Sequence, residues 1–106
     1  MAFKVAFINM APDGDPEKHR ATIKTSTLEL TMVVIQLRNF DQAVKVCQNL
    51  VEKEGIQNLV LCPGFRHQAV GKIANAVGER VAINVARGDH PSDRIIDEIL
   101  KKEKWF

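Results

Sequence analysis

Cys62, Pro63, Gly64, Phe65, Arg66 and His67 follow one another without interruption, and these residue types suit two kinds of chemistry. A thiol at the start of a helix, close to Arg66 and His67, could have a lowered pKa and act as a nucleophile. Gly64 permits a tight turn and close backbone approach. Helix-start amides, at the positive end of the dipole, favour an anion, to which Arg66 or Arg87 could add a forked contact with a phosphate or carboxylate. The plainer reading is a strand-to-helix turn with a buried, inert cysteine and solvated Arg and His side chains. Cysteine is among the residues most often buried, and Cys62 ends an apolar run. Its spacing to Arg66 is also too short for a phosphatase loop. For Cys62 the residues favour the inert reading, and for the turn as a whole they favour anion binding.

The other candidates are polar residues expected beyond the carboxyl ends of strands. Asn9, Asp13 and His19 follow the first strand, Arg38 and Asn39 the second, and Arg87, Asp89 and His90 the fourth. Together with the Cys62–His67 stretch after the third strand, this set holds all three histidines. No two of them lie at a metal-ligand spacing such as His-x-x-x-His, and no metal site is expected. Gly64 and Gly71 match neither the dinucleotide fingerprint nor the phosphate loop. No Gly-x-Ser-x-Gly elbow or acid–base carboxylate pair stands out. Cys47 lies on the apolar stripe of a helix and reads as core.

These residues must be positioned by strands that alternate with helices. Ala2 to Ile8 is a nearly continuous apolar strand. After Pro12, Asp13 and Gly14, Asp15 and Pro16 read as the cap and first position of a short helix through about Ile23. Leu28 to Leu37 is the second strand, whose alternating start suggests a half-exposed edge. Asn39 and Gln42 resemble a capping box opening a helix with Phe40, Ala43, Val44, Cys47, Leu50 and Val51 inward, closed by Gly55. Asn58 to Cys62 is a short central strand. A helix follows with Ala69, Val70, Ile73, Ala74 and Val77 inward. Val81 to Ala86 is the fourth strand, and a last helix buries Ile95, Ile96, Ile99 and Leu100.

This pattern predicts one α/β domain over residues 1–106. The expected form is a small three-layer sandwich, with a four-stranded mainly parallel sheet, strand order 2-1-3-4, and helices on both faces, in the Rossmann-like or flavodoxin-like manner. In such sheets ligands bind beyond the carboxyl ends of the strands, where the order reverses. Trp105 and Phe106 either fold back on the core or pack on a second subunit.

Composition narrows the class. The 106 residues leave no room for a second core. A net charge of +2, with lysines and arginines spread along the chain, does not suggest nucleic acid. The longest apolar runs are strand-sized, so no membrane span is expected. The N-terminus lacks the charge-first pattern of a signal peptide, and two cysteines are too few for a disulfide framework, which together point to a reduced, cytoplasmic protein.

Phe3–Ile8 (Phe-Lys-Val-Ala-Phe-Ile), Ala11–Arg20 (Ala-Pro-Asp-Gly-Asp-Pro-Glu-Lys-His-Arg) and Cys62–Phe65 (Cys-Pro-Gly-Phe) together resemble a family of small bacterial and archaeal α/β proteins catalogued as a domain of unknown function. The resemblance covers nearly the whole chain. That family carries an acidic residue before the cysteine and two glycines after it, whereas here Leu61 and Pro63 occupy those places, and Arg66 stands where a small residue is usual. The resemblance implies a fold and a candidate edge but no reaction.

The leading expectation is a protein that binds a small anionic molecule at the carboxyl edge, with enzymatic activity left open. Gly64, Arg66, Arg87, Asn9 and Asp89 are the expected ligand-binding set. Cys62, His67 and His19 are the only candidates for catalysis, and no cofactor is indicated. The alternative is a non-enzymatic oligomeric module, and a homo-oligomer is expected in either case.

Overall fold

A computed structural model describes residues 1–106. Its elements in chain order are β1 (Phe3–Ala11), β2 (Arg20–Lys24), β3 (Leu28–Gln36), α1 (Phe40–Glu54), β4 (Asn58–Leu61), α2 (His67–Val77), β5 (Ala82–Val85) and α3 (Ser92–Lys102). The sheet is five-stranded in the order β2-β3-β1-β4-β5. Only the β2–β3 pair is antiparallel.

The α/β class stands, and the strands expected from the sequence lie in the expected relative order. Four details of that expectation are corrected. Residues Asp15 to Ile23 do not form a helix. The Asp15 carboxylate accepts the Glu17 N–H at 3.0 Å, and the Asp15 carbonyl accepts the N–H groups of Lys18 and His19 at 3.1 and 2.7 Å. That is one tight turn, after which Arg20–Lys24 pairs with β3 as a fifth strand. Asp15 and Pro16 are as much a turn signal as a helix start, and the β-branched Thr22 and Ile23 fit a strand better. With β2 outside it, β3 is interior rather than an edge. The third correction concerns the layers, because only one face of the sheet is packed by helices.

Strand register fixes the two faces, since successive side chains point to opposite sides. Ala6, Ile8, Val33, Ile35, Leu59 and Leu61 share the face that meets Ala43, Cys47 and Leu50 of α1 and Ala69 and Ile73 of α2 in one buried cluster. Two rightward crossovers, β3 to β4 and β4 to β5, place α1 and α2 on this same side. The step from β1 to β3 runs through β2 and carries no helix that could cover the other side. The fourth correction is α3, which does not bury the stripe expected of it: Ile95, Ile96 and Ile99 are more than half exposed and Leu100 is only half-buried.

α1 begins where Asn39 Oδ1 accepts the Gln42 N–H at 3.1 Å. The second half of the expected capping box is redirected, since Gln42 Oε1 accepts the Gln36 N–H at 2.8 Å. Gly55, at φ 72°, closes the helix in the left-handed conformation. Gly14 packs against the backbone of Ile35, where a Cβ would collide with the carbonyl oxygen.

Candidate functional site

The turn from β4 to α2 holds Cys62–His67 as one compact unit. Cys62 N–H donates to the Ile8 carbonyl at 3.0 Å, and Phe65 N–H returns to the Cys62 carbonyl at 3.1 Å. Phe65 is buried and meets Phe40, the first residue of α1, with ring centroids 5.8 Å apart and planes at 59°. This aromatic pair holds the N-terminal ends of α1 and α2 together. The Cys62 thiol joins the core cluster. Burial pushes its pKa up, outweighing the backbone hydrogen bonds with Gly64, Met10, Cys62 and Phe65 that pull it down. An activated nucleophile needs the opposite shift. Gly64 does not have a positive φ. A Cβ there would meet Met10 Cε and Sδ at 3.4 Å and Cys62 Sγ at 3.6 Å.

α2 and α3 both start without a side-chain cap, and α2 alone has no acid in its first turn. Arg66 occupies the cap position with extended backbone, no side chain caps the first turn, and no acidic residue lies in it. α1, by contrast, has both a cap and Asp41. The first-turn amides of α2 and its dipole therefore face outward without a side-chain acceptor. Arg66 and His67, with Phe65, Val70 and Val85, line an open cleft of about 430 Å³. Phe65, Val70 and Val85 did not stand out as site residues in the sequence. The signal for Val85 is its register, since it pairs with Leu61 just before the turn.

The loop after β5 lies against this turn, because a Cβ on Gly88 would stand 3.2 Å from Pro63 Cβ. Arg87 and Asp89 are thereby brought to the same end of the sheet. Their side chains are engaged with each other, with Arg87 Nε and Nη2 at 3.1 and 3.0 Å from the Asp89 carboxylate.

The remaining candidates do not converge there. Asn9 belongs by register to the uncovered face of the sheet. His19 accepts the Asp15 N–H on Nδ1 at 3.0 Å, and its carbonyl accepts the Val34 N–H at 2.9 Å. This places it beside β3, about 14 Å from the β4 turn at three strand spacings. His90 lies 3.2 Å from Asp93 and 3.3 Å from Arg94 Nη2. No group of three or more His, Cys, Asp or Glu residues is arranged to hold a metal ion. No helix is long and apolar enough to cross a membrane.

α3 bridges this end of the molecule. It begins beyond β5, and the tail that follows it ends at Arg38, just past β3, whose guanidinium lies 5.5 Å from the Phe106 ring centroid. Neither tail aromatic enters the core cluster.

Fold and site together define a small, mostly parallel α/β protein with an uncapped helix start and an open cleft at the carboxyl edge of its sheet. The chain belongs to a family of unknown function (DUF6506), whose model matches residues 3–101. No curated protein and no solved structure matches it.

Proposed function

We propose that the protein binds a small anion, a phosphate or carboxylate group, at the start of α2. The observation that carries this reading is the uncapped, acid-free first turn of α2, which opens beside Arg66 and His67 into the cleft they line with Val85. Backbone N–H groups would point at the anion with the helix dipole behind them. Arg66 would supply a forked, charge-assisted contact, and His67 a further donor. Phe65, Val70 and Val85 make the cleft mainly apolar, which suits the body of a small organic acid or phosphate ester. Arg87 joins once the anion draws it from Asp89. Gly64 contributes backbone only, and Cys62 holds the turn to the core.

The test is an NMR titration of the labelled protein with inorganic phosphate and with citrate. The expected result is amide shifts concentrated at His67, Gln68 and Ala69, with affinity at least tenfold weaker in Arg66→Ala. Shifts scattered over the surface, or unchanged affinity in Arg66→Ala, would reject the reading. The oligomeric-module alternative draws on a different surface and does not compete for these residues.

A further inference from the structure

The side of the sheet that faces away from α1 and α2 is apolar and carries no charge. Register lays Phe7 of β1 beside Met32 of β3 and Val60 of β4, with Leu30 of β3 beside Ile23 of β2. Lys4, Arg20, Lys24 and Glu29 all fall on the helix side, where Lys4 and Lys24 pair with Glu29, and Arg20 pairs with Glu54 of α1 at 2.6 Å. The polar residues of the uncovered face are neutral amides. Ile23 and Met32 are 61% and 37% exposed. Parallel sheets are seldom left with a face in water, and an uncharged apolar patch of this breadth marks an interaction surface.

We propose that this face is covered by a second copy of the same chain, the two sheets packing face to face about a two-fold axis. A two-fold contact sets a patch against itself, and a patch without charge can meet its own image without repulsion. The area sets the scale of the contact. β1 and β3 run about 30 Å, but β2 and β4 have five and four residues and run about 17 and 13 Å. At the usual strand spacing the four cover about 430 Å². That is about half of the roughly 800 Å² per partner of standard complexes, the size of a small, reversible contact. The chain's own α3 is too small to do the same. Eleven helical residues form a rod about 16 Å long and 10 Å wide, enough for little more than a third of the face.

Sedimentation equilibrium of the full-length protein tests this. The wild type is expected at twice the mass of one chain and Met32→Lys at the mass of one, with Met32→Leu still paired. A monomeric wild type overturns the proposal, as does a dimer that a folded Met32→Lys leaves intact. In case Met32→Lys does not fold, a second measurement uses the unaltered chain: isotope-filtered NOEs in a mixture of labelled and unlabelled protein. Cross-copy contacts from the Met32 methyl to Phe7 or Leu30 support the proposal. No cross-copy NOE from that methyl, with unfiltered spectra placing it against isoleucines of α3 in its own chain, overturns it.

Discussion

Arg38 and Phe106 meet across the carboxyl end of the sheet, the guanidinium 5.5 Å from the ring centroid. They tie the last residue of the chain to the turn between β3 and α1. Between exposed groups a cation–π contact contributes about 0.5–1 kcal/mol, enough to bias a tail but not to anchor a domain. Phe106→Ala should therefore leave the unfolding midpoint nearly unchanged while amides of α3 exchange several-fold faster with deuterium. Equal exchange rates in α3 for the variant and the wild type would show that the contact holds nothing.

Two glycines give opposite expectations. Gly14→Ala places a methyl group against the Ile35 carbonyl, with the carbonyl carbon at 2.6 Å and Val34 Cγ1 at 3.1 Å. Backbone in a sheet cannot yield as a side-chain tip can, so a loss of about 3 kcal/mol is expected from this overpacking. Gly71 sits inside α2 with nothing within 4 Å of where a Cβ would stand. There alanine should add about 0.5–1 kcal/mol through helix propensity. Urea unfolding of the two variants checks both signs.

The Cys47 thiol, fully buried on α1, is pushed up to about 12 by the loss of hydration. In the unfolded chain it ionises near pH 8.5, roughly the ordinary cysteine value. Between those values the folded state keeps a proton that the unfolded state releases. The stability it contributes is complete below the unfolded pKa and is lost as pH rises toward the folded one. Stability measured from about pH 8 to pH 11 should fall more steeply in the wild type than in Cys47→Ala, whose plateau is lower by about 1–2 kcal/mol for the cavity. Parallel curves would contradict the assignment.

On the anion reading, Asp89 competes with the ligand for Arg87. Asp89→Asn should then tighten phosphate binding about three- to tenfold, since it removes an acceptor and a negative charge from the same edge. Unchanged phosphate affinity in Asp89→Asn would remove Arg87 from the set.

The parts of the fold that were legible in the sequence were those written in local patterns. The stripe of Ala43, Cys47 and Leu50 fixed α1 and its inward face, and Asn39 and Gly55 marked its ends. β2 was not legible, because all of its residues are exposed and it shows no burial alternation. Its pairing with β3 is a tertiary fact that outweighed the helix-start signal at Asp15 and Pro16. Gln42 illustrates the same limit at smaller scale, since its side chain chose the Gln36 N–H over the local capping partner. At the candidate site, Arg66 and His67 were visible because they follow a strand directly. The separation of His19 from His67 depends on strand order, which local spacing does not encode, and the place of Val85 in the cleft depends on register.

The borders of the sheet set how far any assembly can grow. One border is β2, five residues long with Arg20 and Lys24 at its ends, and the other is β5, four residues long. Short borders flanked by charge are poor templates for adding a further strand. Extension sideways into a ribbon or fibril is disfavoured at both rims, which leaves the apolar sheet face and the exposed stripe of α3 as the surfaces open to association. The proposed face-to-face pair is in that case a closed two-fold unit with no strand edge left to propagate.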